Sequence, residues 1–114
     1  MNDISYLKPA IRLSIVNPEA DSGSVLGRGV AELCQGVRDT GSLNAAAKGM
    51  HMAYSKAWRI VKDTEKALGF QLLNRDGAHG STLTEEGMAL LEAYAKVNAE
   101  VQAYAEERLT HYLG

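Results

Sequence analysis

The sequence predicts a mainly α-helical fold with a small β-sheet, and three features carry this prediction. Apolar residues recur at helical spacing over 42–49 and again over 53–68, with a glycine near the turn between the two stretches. Two short extended runs within 71–84 flank a glycine-containing loop. Residues 85–113 then form one uninterrupted helical pattern. Two helices around a tight turn, followed by a hairpin, indicate a winged helix-turn-helix with a leading strand and a long C-terminal helix.

Length and composition are those of one ordinary globular domain. At 114 residues the chain is large enough to bury its own core, so we expect a single domain over 1–114. The one cysteine, Cys34, excludes an internal disulfide framework and suits a reducing cytoplasm. No apolar run approaches the ~20 residues that span a bilayer, and the first residues lack the pattern of a signal peptide. We therefore expect a cytoplasmic protein with no membrane partner.

The first two elements are a strand predicted over 10–16 and a helix predicted over 28–40. Apolar and polar residues alternate in AIRLSIV, which is rich in β-branched residues and able to pair with the hairpin as a third strand. Asn17 and Pro18 then begin a loop. In the helix, the residues at apolar spacing are Leu26, Val30, Leu33, Cys34 and Val37.

The two central helices are predicted over 42–49 and 53–68. Ser42 can cap the first of them, and its alanines allow a second helix axis to approach closely. We expect the chain to reverse at Gly49. The outer face of the second helix carries hydroxyls and cations, which are Tyr54, Ser55, Lys56, Arg59 and Lys62.

Charge is distributed unevenly although the net charge is only −2. Residues 48–75 hold six cations and two anions, a local +4, whereas residues 84–114 hold six glutamates and two cations, a local −4. A basic segment beside an acidic one is typical of a DNA-binding surface. The alternative is that these charges only solvate two helices.

These residues, taken in order, resemble the DNA-binding domain of LysR-type regulators and, more closely, the N-terminal domain of molybdate-responsive (ModE-type) regulators. The shared segments are Leu26-Gly27-Arg28-Gly29, Gly41-Ser42-Leu43, Ala45-Ala46-Ala47, Tyr54 with Ala57-Trp58, Leu68-Gly69 and Leu73-Asn74-Arg75. The resemblance covers 11–91 and implies a sequence-specific, double-stranded-DNA-binding transcriptional regulator near metal-oxyanion uptake. Ala53 differs from the serine that these families often carry, which removes one cap. Because ModE-type proteins sense the oxyanion in a separate C-terminal domain, we expect this chain to bind no ligand, molybdate included.

Candidate DNA contacts follow from the positions of the donors. Residues at the start of the second central helix face the major groove, where lysine and arginine can reach guanine O6 and N7. Residues at the start of the first central helix and on the hairpin, or wing, can reach phosphates. Trp58 has two interpretations, core packing and DNA contact. The predicted DNA-binding residues are Ser42, Asn44, Tyr54, Ser55, Lys56, Trp58, Arg59, Lys62, Arg75 and His79.

The helix over 85–113 is too long for a domain of this size to cover. It spans about 40 Å at 1.5 Å per residue, so its apolar side needs a partner, and an antiparallel helix from a second subunit is the simplest one. A two-fold homodimer also suits recognition helices that meet successive major grooves about 34 Å apart. The predicted dimer-interface residues are Leu91, Tyr94, Val101, Tyr104, Ala105 and Tyr112.

Other chemistry is poorly supported by the sequence. His51, His79 and His111 lack the spacing and neighbouring carboxylates of a metal site, and no nucleophile, base and orienting group occur together. We expect neither an enzyme nor a bound cofactor. The rival hypothesis is a protein-interaction winged helix that has lost DNA binding and docks through its long helix, which the acidic net charge and the single cation of the wing favour.

Overall fold

The computed structural model describes residues 3–21, 23, 25–75 and 80–114. This part of the chain forms four helices and one antiparallel hairpin, in the predicted fold class of a winged helix-turn-helix. In chain order the elements are α1 (Arg28–Thr40), α2 (Leu43–Gly49), α3 (Tyr54–Leu68), β1 (Leu73–Arg75), β2 (Ser81–Leu83) and α4 (Glu85–Leu113).

Glycines and hydroxyls set the ends of the helices. Gly41 ends α1 at φ 74° and Gly69 ends α3 at φ 92°, conformations in which a side chain would be strained. Ser42 Oγ accepts the backbone N–H of Ala45 at 3.1 Å at the start of α2. Thr84 Oγ1 does the same for α4, whereas α3 begins at Ala53 with no side-chain cap.

The turn between α2 and α3 differs from the prediction. Gly49 is the last residue of α2, and the residue with positive φ is His51, at 55°. The turn closes through backbone bonds, because Met52 N–H donates to Ala47 O at 2.9 Å and His51 N–H donates to Lys48 O at 3.0 Å. The reversal therefore depends on main-chain hydrogen bonds and not on a glycine.

The core lies where α1, α2 and α3 meet, below the hairpin and the first turns of α4. The helices α1 and α2 approach closely at Gly36, where an added Cβ would lie 2.7 Å from the Cβ of Ala46. The sequence predicted a close helix approach from the alanines of α2. The structure shows that this approach also requires a glycine, Gly36, on the facing helix α1. The largest fully buried side chains are Leu26, Leu33, Leu43, Leu72, Leu73, Val37, Val61 and Thr64.

The predicted leading strand over 10–16 is not formed. Only Ile15 pairs, in an isolated bridge with Leu26 whose two backbone hydrogen bonds measure 2.9 and 3.0 Å. The segment does not join the hairpin, whose strands pair only with each other in the described part of the chain. The strand does not form because α4 competes with the hairpin for the backbone of this segment. Side chains of α4 satisfy main-chain groups of this segment, since Gln102 Oε1 accepts the N–H of Ile11 at 3.1 Å.

The long helix α4 packs on the core only through its first third. Its buried residues are Gly87, Leu91 and Tyr94, and beyond them it extends from a molecule that measures 61 × 32 × 22 Å. Among the described residues, no helix combines the length and apolar character needed to cross a membrane.

Candidate nucleic-acid interface

The outer face of α3 carries the donors that the sequence analysis singled out. Ser55, Lys56, Arg59 and Lys62 are all exposed, and Tyr54 is half exposed. The opposite face of the same helix, formed by buried residues Ala57, Val61, Thr64, Glu65 and Ala67, packs on the core. Because the helix is held from behind, its donors are presented outward on a backbone that cannot rotate about its axis.

One cation on this face was not among the predicted contacts. Lys66 is exposed and follows Lys62 by four residues, so it continues the line of Ser55, Arg59 and Lys62 along α3. The i, i+4 spacing in the sequence was the available signal. It lies in the last turn of α3, far from the first turns that are predicted to reach base edges, and this position suits a phosphate better than a base.

Trp58, predicted either to pack in the core or to contact DNA, packs against the core and also lies beside two of the exposed donors of α3. The side chain is partly buried and packs against the core. Its ring is also close to perpendicular to the Tyr54 ring, with centroids 6.2 Å apart, and its centroid lies 6.0 Å from Lys62 Nζ. The indole therefore packs between the core and the side chains of Tyr54 and Lys62. A direct contact with DNA stays a prediction.

A buried carboxylate, not predicted from the sequence, connects α3 to the hairpin. Glu65 is 8% exposed, and its Oε2 accepts the backbone N–H groups of Leu72 at 2.7 Å and Leu73 at 3.2 Å. A buried charge is stable only when it is well hydrogen-bonded, and these two bonds join the back of α3 to the start of β1. The signal was an acidic residue on the apolar face of the helix.

The thiol of Cys34 lies in the core near this carboxylate. Burial raises the pKa of Cys34 to about 11, and the negative charge of Glu65 adds to the effect. The thiol is therefore protonated at neutral pH, which matches a core residue and not a reactive nucleophile.

The hairpin is joined to the helices at its base. Ser81 N–H donates to Gly41 O at 2.9 Å, and Gly80, at φ 92°, sits where an added Cβ would collide with the same carbonyl oxygen. Asn74 Nδ2 donates across the hairpin to Thr82 Oγ1 at 3.1 Å. Of the two predicted wing contacts, Arg75 has only its backbone described, at the end of β1, and His79 lies outside the described residues.

The start of α2 holds the remaining predicted contacts. Ser42 is half-buried and its hydroxyl oxygen already accepts the Ala45 N–H, while Asn44 is exposed. The structure thus places Ser55, Arg59 and Lys62 on one exposed face of α3, with Lys56 at its edge. Asn44 lies on α2, the adjoining helix of the motif.

This geometry matches that of known DNA-binding proteins. The family model of bacterial regulatory helix-turn-helix proteins of the lysR family matches residues 31–88, more than half of the chain. The chain belongs to the lysR family. It is accordingly a DNA-binding transcriptional regulator.

Two solved structures support this assignment. The crystal structure of the CbnR DNA-binding domain in complex with DNA has a TM-score of 0.59 and 27% identity, over 74% of this chain and 94% of that domain. The crystal structure of CbnR, a LysR family transcriptional regulator, has a TM-score of 0.54 and 29% identity, over 68% of this chain. This lysR-family chain corresponds to only 26% of that full regulator. No curated protein matches the chain significantly. The closer resemblance to ModE-type regulators stays a prediction.

The predicted dimer residues of this lysR-family chain divide into two groups. Leu91 and Tyr94 are only 4% and 7% exposed, because they pack into the core of their own chain, and the Tyr94 hydroxyl donates to Leu13 O at 3.3 Å. Their own chain therefore covers most of both side chains, and their part in a dimer interface stays a prediction. The more distal predicted residues are at least partly accessible, and these are Val101, Tyr104, Ala105 and Tyr112.

The metal-ligating side chains in the described part of the lysR-family chain are dispersed. No group of three His, Cys, Asp or Glu side chains there is placed to hold a metal ion. The family and fold are those of transcriptional regulators.

Proposed function

We propose that this lysR-family regulator binds double-stranded DNA sequence-specifically as a homodimer and inserts α3 into the major groove. The observation that carries the proposal is the exposed donor face of α3, held against the core by its opposite face. The CbnR DNA-binding domain, similar in fold and sequence, was solved with DNA. A rigid helix that presents hydroxyls and cations outward suits both base edges and phosphates.

Individual roles follow from position along α3. Ser55, Lys56 and Arg59 lie in the first half of the helix, the end that reaches base edges. Within the described residues neither Lys56 nor Arg59 forms an ion pair, so their donors are available to guanine O6 and N7. Lys62 lies two turns from the start of the helix and is assigned to a phosphate, because its ammonium group is a point charge beside the Trp58 ring.

Homodimerisation is supported by an apolar stripe on α4. Val97, Val101 and Tyr104 follow at spacings of four and three, and Tyr112 lies two turns beyond. Tyr104 is 64% and Tyr112 is 75% exposed. Large exposed aromatics on the overhanging part of a helix favour a protein partner, and a second copy would align two recognition helices on one face of DNA.

The test is a salt titration of DNA affinity. A duplex is first selected from a random pool, and its affinity is then measured by fluorescence anisotropy at several salt concentrations. We expect log K to fall linearly with log[salt], with a slope of about −0.9 per phosphate neutralised. Sedimentation of the free protein and of the complex gives the number of chains.

Three variants separate the roles. Lys56→Ala should relax the base preference at one position, whereas Lys62→Ala should weaken all duplexes alike and reduce the salt slope by about 1. Lys96→Ala removes the same charge from α4 and serves as the control, with affinity unchanged. If both α3 variants keep the wild-type affinity and selectivity, the assignment of α3 as the contact helix is wrong. An absence of salt-dependent binding would instead favour the protein-interaction hypothesis.

A further inference from the structure

A segment ahead of α1 connects the recognition helix to the long helix. We call residues 9–17 the strap. At one end, the Asn17 side-chain amide donates to the carbonyl oxygens of Ala67 at 3.1 Å and Leu68 at 3.5 Å. These carbonyls belong to the last turn of α3, where helix carbonyls lack partners within the helix. The strap is therefore attached to the C-terminal end of the recognition helix.

At its other end the strap is attached to α4. The Gln102 side chain uses both of its amide atoms, because Oε1 accepts the N–H of Ile11 at 3.1 Å and Nε2 donates to Pro9 O at 2.8 Å. About two turns beyond Tyr94, the last buried residue of α4, this pair of hydrogen bonds holds the helix where α1, α2 and α3 bury none of its residues. The Tyr94 hydroxyl adds a third bond, to Leu13 O.

The middle of the strap is attached to the core. Ile15 pairs with fully buried Leu26 through two backbone hydrogen bonds. The strap is thus held at α3, at the core and at α4, and it lies ahead of residues 31–88, which match the family model. It is a part of this chain that the family assignment does not explain.

We propose that the strap is a positioning element that fixes the direction of α4 relative to α3, with Gln102 as its principal positioning residue. In the homodimer proposed above, on which this inference rests for its effect on DNA, the direction of α4 sets the separation of the two recognition helices. The strap thereby selects the spacing of the two half-sites, while the α3 side chains select their base sequence.

The lever is long enough for this effect. From Tyr94, the last core contact, to Leu113 the helix runs about 28 Å at 1.5 Å per residue. A change of about 10° in its direction would move the far end by about 5 Å, which exceeds the 3.4 Å between base pairs. Loss of the Gln102 bonds is therefore expected to shift or broaden the preferred spacing by about one base pair or more.

The test compares Gln102→Glu with a matched control. Gln102→Glu keeps the size of the side chain but replaces the donor opposite Pro9 O by a carboxylate oxygen. Ala103→Glu adds the same charge at the adjacent position, where the native alanine is exposed and has a side chain too short to take part in the hydrogen bonds to the strap. The first readout is selection from duplexes in which two half-sites are separated by every spacing over one helical turn. Gln102→Glu should change the spacing and leave the half-site sequence as in the wild type, and Ala103→Glu should change neither.

A second readout does not depend on DNA. Spin labels on Lys66→Cys and Glu107→Cys report the distance between the end of α3 and the distal part of α4, with labelled chains diluted into unlabelled ones. Cys34 is buried with a raised pKa and is expected to stay unlabelled. The distance distribution should broaden or shift in Gln102→Glu and not in Ala103→Glu.

The outcomes separate the two proposals. An unchanged distance distribution in Gln102→Glu overturns the positioning role, even if the melting temperature falls. A changed distance distribution in Gln102→Glu supports the positioning role. If the wild-type protein at the same time shows no preference for paired half-sites, the dimeric mode of DNA binding is refuted. A changed distribution with unchanged spacing refutes the claim that the strap selects spacing.

Discussion

Replacing Glu65 by alanine tests whether the buried carboxylate holds the wing to the recognition helix. In the wild type, one carboxylate oxygen accepts two backbone N–H groups, at 2.7 and 3.2 Å, from Leu72 and Leu73. Both leucines are fully buried, so their amides lie away from bulk water when the acceptor is removed. A buried donor left without a partner costs about 1–3 kcal/mol. With two such donors, we expect Glu65→Ala to lower the free energy of unfolding by about 3–5 kcal/mol.

Two further variants calibrate this value. Glu65→Gln keeps an amide oxygen that can accept from the same groups but removes the charge, and we expect a loss of about 1–2 kcal/mol. Asp63→Ala removes an exposed carboxylate from the same helix and should change stability by less than about 0.5 kcal/mol. If the two hydrogen bonds carry the stabilisation, the loss of stability should be largest for Glu65→Ala, smaller for Glu65→Gln and smallest for Asp63→Ala.

The assay is urea unfolding followed by far-ultraviolet circular dichroism, together with hydrogen exchange at the amides of Leu72 and Leu73. Glu65→Ala should speed exchange at these two amides more than at Asn74, the next residue of β1. A role for Glu65 in holding the hairpin is refuted if the free energy of unfolding of Glu65→Ala lies within about 1 kcal/mol of the wild-type value, or if both amides keep their protection.

Three further predictions concern packing, titration and assembly. Gly36→Ala should destabilise the protein by about 1–3 kcal/mol in thermal unfolding, because its Cβ would lie 2.7 Å from that of Ala46, whereas Gly29→Ala meets no atom within 4 Å and should be tolerated. The pKa of Cys34 is raised from 9.0 to about 11, so the folded state retains this proton better than the unfolded state. Its contribution of about 2–3 kcal/mol is therefore complete below pH 9 and lost as the pH rises towards 11, and Cys34→Ala should flatten this decline in urea unfolding. Val101→Glu should shift the chain to monomer in sedimentation equilibrium if the apolar stripe of α4 is the dimer interface, and a dimer unaffected by the change would exclude that stripe.

Short-range features of the chain were predictable because their causes lie within a few residues. A side-chain cap such as Ser42 acts on an amide three residues away, and a glycine such as Gly41 ends a helix through its own φ. The donor face of α3 was equally accessible, because helical periodicity alone separates Ser55 and Arg59 from Ala57 and Val61. The family assignment follows from this ordered set of local patterns.

The features that the sequence concealed depend on residues far apart along the chain. The segment 10–16 has the alternation of a strand, yet Ile11 bonds to a side chain 91 positions away, so α4 replaces the sheet as its partner. Tyr94 was predicted as an interface aromatic, and the strap and the core cover most of it. Glu65 counted as one more surface charge until folding placed the amides of Leu72 and Leu73 against it. Periodicity reports which face of an element is apolar, but only the packed chain decides what covers that face, because competition between possible partners is resolved by tertiary geometry.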